Sequence, residues 1–174
     1  NVLFISTVDV FGFVKKSVDS DKPVAPVTIY GKTKLKAEQE LRQIATHYNI
    51  YRFSPVYSEE MKRDIQKRYY LKYPDWAYII GKGSEYEVLH IDKAVKAMVD
   101  WVDTEPDGKV YIIKDDTRMN TTKVLGEEKA MGNAKYVIRF PRWLVVVGYY
   151  VARITGKNKY TFLLNKALYP LQSN

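Results

Sequence analysis

The sequence contains no cysteine. Disulfides, thiolate metal sites and thiol nucleophiles are therefore excluded, and a cytoplasmic setting is compatible with this. Histidine is nearly absent too. Only His47 and His90 occur, and neither has ligand-type neighbours at metal spacing, so no metal centre is expected. His47 reads as a solvated helix residue, and His90 as a residue that packs and hydrogen-bonds at a strand end. Long apolar runs are also missing. Trp143 to Ile154 is broken by Gly148 and Arg153 and is far shorter than the roughly twenty residues of a bilayer-crossing helix. No Gly-x-Gly-x-x-Gly or Gly-x-x-Gly-x-x-Gly turn occurs anywhere. Internal repeats and low-complexity stretches are absent as well.

What is present suits a globular chain. Of 174 residues, 46% are hydrophobic and 28% charged, enough to build a core of ordinary domain size, or one such core and a small appendage. The net charge is +8. Part of it lies in a run of basic residues interleaved with tyrosine: Lys62-Arg63, then Lys67-Arg68-Tyr69-Tyr70-Leu71-Lys72-Tyr73. Such a run can neutralise and stack on nucleic acid. No nucleic-acid motif accompanies it, so the preferred reading is a solvated helix covering part of a substrate pocket, with no nucleic-acid partner. The positive field would also attract anionic cofactors and substrates.

The most informative string is Thr28-Ile29-Tyr30-Gly31-Lys32-Thr33-Lys34. With Thr28 as N-cap, a helix starting here places Tyr30 and Lys34 one turn apart on one face. A phenol beside an ammonium can exchange a proton with an alcohol or a carbonyl. Apolar positions at 37, 41, 44, 45 and 48 extend the helical stripe. The same spacing recurs at Tyr78 and Lys82, but inside the apolar run Trp76 to Ile80 before Gly81-Lys82-Gly83, which reads as a strand ending in a turn. Upstream, Asn1 to Ile5 reads as a buried parallel strand ending in Ser6-Thr7, where α/β sheets bind ligands. Ile50 to Phe53 reads as a second strand, running into Ser54-Pro55.

The series Phe4-Ile5-Ser6-Thr7, Val10-Phe11-Gly12, Tyr30-Gly31-Lys32-Thr33-Lys34, Glu38 and Arg52-Phe53-Ser54-Pro55-Val56-Tyr57 resembles the carboxyl-terminal half of an extended short-chain dehydrogenase/reductase. This is the group of NAD-dependent sugar-nucleotide epimerases and dehydratases, with the 3β-hydroxysteroid dehydrogenases as relatives. Gly81-Lys82-Gly83, Val88-Leu89-His90-Ile91-Asp92-Lys93-Ala94 and Gly108 to Ile113 continue the resemblance. It implies Tyr30 as general acid/base, Lys34 at the nicotinamide ribose and Thr7 hydrogen-bonded to the reacting oxygen. It also implies Ser6, Ser54 and Pro55 beside the NAD or NADP cofactor, and Asp9 and Tyr86 on the substrate side. Two departures stand out. The family's opening strands and glycine turn are not found, so the chain alone is expected to bind cofactor weakly, most of that site lying in the missing amino-terminal half. Tyr86 stands where sugar-nucleotide enzymes often carry an arginine against the diphosphate.

Downstream, Asn120-Thr121-Thr122 caps a helix to about Met131, Gly132-Asn133 ends it, and Tyr136 to Ile138 reads as a strand. Pro141 suits a first helical position. Trp143 to Ile154 is then expected as a buried helix closing the substrate lobe. Arg142, Arg153, Lys157 and Lys159 keep a membrane-surface helix as the alternative. The expected architecture is α/β: residues 1–57 as part of a doubly wound parallel sheet, and residues 58–174 as a small α/β substrate lobe interleaved with sheet-completing segments. The expected function is epimerase, dehydratase or dehydrogenase chemistry, on a nucleotide sugar or on an apolar 3β-hydroxysteroid-type substrate, by a homo-oligomer. The other alternative is a non-catalytic binding scaffold.

Overall fold

A computed structural model describes residues 1–14, 17–71 and 75–173; the side chains of residues 63 and 64 also fall outside the described set. The first sheet is parallel and ordered β1-β2-β7, from β1 (Val2–Thr7), β2 (Tyr48–Phe53) and, much later in the chain, β7 (Val110–Ile113). Phe4 pairs with Ile50, and Ile50 with Val110. Ile50, on the central strand, is fully buried. Between β1 and β2 runs α1 (Ile29–Ile44), which packs on β1 and on a 3-10 turn over Val8–Phe11. A parallel pair requires such a crossover, because a tight hairpin can join only antiparallel strands.

The chain continues through β3 (Val56–Tyr57), α2 (Arg63–Gln66), β4 (Trp76–Ile80), β5 (Glu85–Tyr86), β6 (Leu89–His90) and α3 (Ile91–Val102). After β7 come β8 (Met119–Asn120), α4 (Thr121–Ala130), β9 (Tyr136–Phe140), α5 (Arg142–Ile154) and α6 (Asn158–Leu168). Strand β4 pairs in parallel with β9, and the Trp76 and Tyr136 rings lie 5.0 Å apart. Helix α4 covers this pair through Leu125, with Tyr69, Ala77, Ile79 and Ala134 completing the core. Helices α5 and α6 pack on each other through Val145, Tyr149 and Leu168. The architecture is a parallel Rossmann-like sheet with a small α/β lobe.

Helix ends follow their sequence signals. Thr28 caps α1, its Oγ1 accepting the Gly31 N–H at 2.9 Å. Asn120 caps α4 by accepting from Thr122 and Lys123. His90 caps α3 through Nδ1 and meets the Tyr57 ring edge-on at 5.1 Å, so it packs and hydrogen-bonds at a strand end.

Other expectations are corrected. The α1 stripe does not run to 48: the helix ends at Ile44, which is 82% exposed, and Tyr48 already opens β2. His47 consequently lies in the connection, not in a helix. Pro141 is the N-cap of α5 rather than its first helical residue. Helix α5 is not buried on several sides. It buries Val145, Tyr149 and Ala152, while Trp143, Val147, Val151 and Ile154 face outward. In the basic run, Lys72 and Tyr73 lie outside the described residues. Of the rest, α2 is only one turn long, Tyr69 is fully buried, and the Tyr70 hydroxyl donates to Glu128 at 2.9 Å. These two tyrosines serve the core, not an exposed stacking surface.

Candidate active site

The carboxyl ends of β1 and β2 open into a cavity of about 1040 Å³. One end is built by Ser6 and Thr7 after β1, Ser54 and Pro55 after β2, and Tyr30 at the start of α1. Met61 and Leu71, Ile80 and Phe140, Leu144 and Leu163 supply an apolar part of the lining, which also includes Lys67, Tyr70 and Tyr78. Every site residue expected from sequence lines this cavity except Lys34, which stands one helical turn behind Tyr30.

Each side chain at the first end has a defined task. Thr7 is 9% exposed, and its Oγ1 accepts the Asp9 N–H at 3.2 Å, capping the 3-10 turn. A hydroxyl that accepts at its oxygen still has its own proton to donate. Tyr30 is 54% exposed at the cavity edge. The Lys34 ammonium donates to the Ile5 carbonyl at 2.8 Å and lies 5.1 Å from the Phe4 ring centre. One of its three protons is thereby fixed on β1. Ser54 is 2% exposed, and its Oγ meets no hydrogen-bond partner among the described residues. Ser6 differs: its hydroxyl donates to Glu38, so that proton is engaged inside the protein.

Glu38 is the buried support of this end. It sits on α1 at 1% exposure and receives Arg52 of β2 through two bonds, Nε at 3.1 Å and Nη2 at 2.7 Å. With Ser6 it ties α1 to both strands. All its partners are satisfied, as a buried charge requires. Arg52 also stacks 5.0 Å from the Phe11 ring. Gly31, between Tyr30 and Lys34, marks the closest approach of α1 to the loop. A β-carbon there would lie 2.9 Å from the Asp9 carbonyl and 3.1 Å from Thr28 Oγ1. The glycine lets the helix entrance press against the turn that follows β1.

Asp9, Arg68, Tyr86 and, from α6, Lys166 line the same cavity. Asp9 accepts Lys166 Nζ at 2.6 Å. Burial lowers the Lys166 pKa, and the Asp9 carboxylate opposes that shift. Tyr86 is 4% exposed, with the Arg68 guanidinium 4.6 Å over its ring. Burial raises the Tyr86 pKa, and Arg68 opposes the rise. On the apolar side, burial pushes the Tyr78 hydroxyl up to about 12. Asp9 and Tyr86, expected on the substrate side, both line the cavity, whereas the pairing of Lys166 with Asp9 and the stacking of Arg68 on Tyr86 have no signal in the sequence. No local pattern signals a partner 157 positions away. Among the described residues, no cluster of three acidic or histidine side chains is placed to hold a metal. No described helix is long and apolar enough to cross a membrane.

Comparison with known proteins agrees with this architecture. Residues 1–71 match the family described as RmlD substrate binding domain. Comparison with curated proteins gives no match. Among solved structures, the chain is similar to the UDP-glucuronic acid 4-epimerase of Bacillus cereus, in complex with NAD. The identity is 22% and the TM-score 0.63, over 80% of this chain and 49% of that one. It is also similar to the dTDP-glucose 4,6-dehydratase (RfbB) of Bacillus anthracis str. Ames in complex with NAD, at 17% identity and a TM-score of 0.55, over 80% and 49% of the two chains. The chain thus spans about half the length of these structures. Its fold is the one that these NAD-bound structures share.

Proposed function

We propose that the whole protein is an NAD(P)-dependent epimerase, dehydratase or dehydrogenase acting at a hydroxyl or carbonyl carbon, with Tyr30 as the acid/base. The observation that carries this reading is that Thr7 and Tyr30 line the same large cavity, with Lys34 one turn behind. Thr7 would donate its proton to the reacting oxygen and hold it. The proton of a substrate hydroxyl would pass to the Tyr30 oxygen as a hydride leaves the same carbon, and the reverse step returns both. The Lys34 charge, fixed by the Ile5 carbonyl, would stabilise negative charge on that phenolic oxygen. A nicotinamide cofactor, when bound, takes or supplies the hydride. The cavity fits such a group: Ser54 Oγ is buried there with no hydrogen-bond partner among the described residues, and Pro55 and Ser6 share the lining. Ser6 would contribute its backbone and its lone pairs, its proton being held by Glu38. Asp9 and Tyr86 would face the substrate.

Nucleotide sugars are the leading substrate class, because the solved structures of similar fold are a UDP-sugar epimerase and a dTDP-sugar dehydratase. A specific observation favours the second class, apolar alcohols of the 3β-hydroxysteroid kind: Met61, Leu71, Ile80, Phe140, Leu144 and Leu163 give the cavity a large apolar lining. The test incubates the full-length protein and NAD or NADP with a panel of UDP- and dTDP-sugars and a panel of sterol alcohols. Reduced-cofactor absorbance and product chromatography are the readouts. Conversion within either panel, abolished in Tyr30→Phe, is the expected result. No conversion by cofactor-loaded protein would support the scaffold reading instead.

The exposed face of α5 supports one more element of this reading, contact with an anionic bilayer surface through residues 143–154. Trp143 and Ile154 are 66% and 84% exposed, Arg142 and Arg153 lie in the first and last turns of α5, and Lys157 and Lys159 follow it, the composition of an interfacial helix. Co-sedimentation with vesicles of anionic phospholipid is expected, and it should weaken when Trp143 and Ile154 are both changed to Ser. Equal recovery in the supernatant with and without vesicles would contradict it.

A further inference from the structure

Two buried polar side chains on different elements share one small cavity. Ser54 follows β2, and Asn165 lies on α6 at 1% exposure. Neither Ser54 Oγ nor Asn165 Nδ2 has a hydrogen-bond partner among the described residues. The other end of the Asn165 amide fixes its orientation: Oδ1 accepts the Val14 N–H at 3.3 Å, a role its NH2 group cannot fill. Polar groups buried in this way are costly until something meets them.

The cavity they line measures about 40 Å³ and adjoins the large one, with Ser54 in the wall of both. A water needs at least about 10–15 Å³, so there is room for one or a few waters and none for a ring. The charged side chains along the lining are already engaged. Lys166 pairs with Asp9 at 2.6 Å, and Arg68 lies over the Tyr86 ring. Glu87 accepts from Lys114 at 3.1 Å and from the Ser173 N–H and hydroxyl at 2.8 and 2.9 Å. Arg68 and Lys166 against Asp9 and Glu87 make two charges of each sign. What is unmet is neutral, one hydroxyl and one amide, and a neutral guest that can both accept and donate suits them.

We infer that a water molecule occupies the small cavity and bridges Asn165 Nδ2 to Ser54 Oγ, joining α6 to the carboxyl end of β2. The water accepts from the amide and donates to the hydroxyl oxygen, so Ser54 keeps its own proton for the large cavity. Asn165 is thereby a positioning residue for Ser54. That role rests on the cofactor reading proposed above; the water itself does not.

A high-resolution crystal structure of the full-length protein tests the water. One oxygen within about 2.7–3.2 Å of both Asn165 Nδ2 and Ser54 Oγ is expected. It should be lost in Asn165→Leu, which approximates the amide in size without its donor. No such density in the parent, an ion in its place, or a direct bond between Ser54 and Asn165 would overturn the inference, whether or not the variant folds. Titration with NADH and NADPH tests the positioning. Ser54→Ala and Asn165→Leu should each weaken whichever cofactor binds by about three- to tenfold, the scale of one hydrogen bond. The double variant should bind as Ser54→Ala does, because both changes break one bridge. A further loss in the double variant, or parent-like affinity in Asn165→Leu beside a weakened Ser54→Ala, would overturn the positioning role. A parent that binds neither cofactor would overturn the cofactor reading and that role with it, while the density alone decides the water.

Discussion

Two copies of Tyr-x-x-x-Lys line or border the same cavity, and they differ in everything but spacing. Tyr30 and Lys34 lie on α1, where four residues make one turn and bring the side chains to about 5–6 Å between β-carbons. Tyr78 lies on β4 and Lys82 in the turn after it. In extended chain the same four residues span about 13 Å. Tyr30 stands at the cavity edge, whereas the Tyr78 hydroxyl donates to the Lys67 carbonyl at 3.1 Å and is pushed up to about 12 by burial. Spacing becomes chemistry only through the element that carries it. The first copy has a capped helix, a glycine at its closest approach and a buried carboxylate beneath it; the second has a strand and a turn.

The largest stability effect should come from the support under the first copy. Glu38→Gln leaves the Arg52 guanidinium, 3% exposed, without its counter-charge. A loss of about 3–5 kcal/mol is expected, read by denaturant unfolding. A loss below about 1 kcal/mol would mean that α1 does not depend on this pair. Gly31→Ala comes next. Its β-carbon meets backbone and capping atoms near 3 Å, so a cost of about 1–3 kcal/mol is expected. Gly126→Ala, with nothing within 4 Å of the new carbon, should instead stabilise α4 by about 0.5–1 kcal/mol. Thr28→Ala removes the cap on Gly31 and should cost about 1 kcal/mol.

The smallest effect is on the second copy and appears only in alkali. A Tyr78 pKa near 12 exceeds the ordinary value of about 10, so the folded state holds this proton more tightly than the unfolded one. The resulting stability is complete below about pH 10 and disappears as pH rises through about 12. Tyrosinate absorbance should show a component near pH 12, shared with Tyr69, that loses one tyrosine's amplitude in Tyr78→Phe. Its titration near pH 10 instead would show that the strand copy is not buried.

Much of this contrast was legible in the sequence because it is local. The hydroxyl-ended strand, Thr28 as cap, the start of α1 and the strand around Tyr78 all follow from neighbouring residues. The rest depends on pairings between distant segments. Nothing near Glu38 announces Arg52 as a buried partner, and nothing near Tyr86 announces Arg68. Lys166 reaches Asp9 across 157 positions. Helix α5 misled for a related reason: an apolar run reveals hydrophobicity, but not that only Val145, Tyr149 and Ala152 find a covering surface.

The most direct measurement is the turnover of full-length parent, Tyr30→Phe and Tyr78→Phe side by side, with saturating cofactor and the substrate that the panels select. Tyr30→Phe should fall by about two to four orders of magnitude, the range of a lost acid/base group, with unfolding midpoint and cofactor affinity unchanged. Tyr78→Phe should turn over within about twofold of the parent, since no proton-transfer contribution is lost there. Parent-like turnover in Tyr30→Phe, or an equal loss in the two variants, would contradict the assignment of the chemistry to the helical copy.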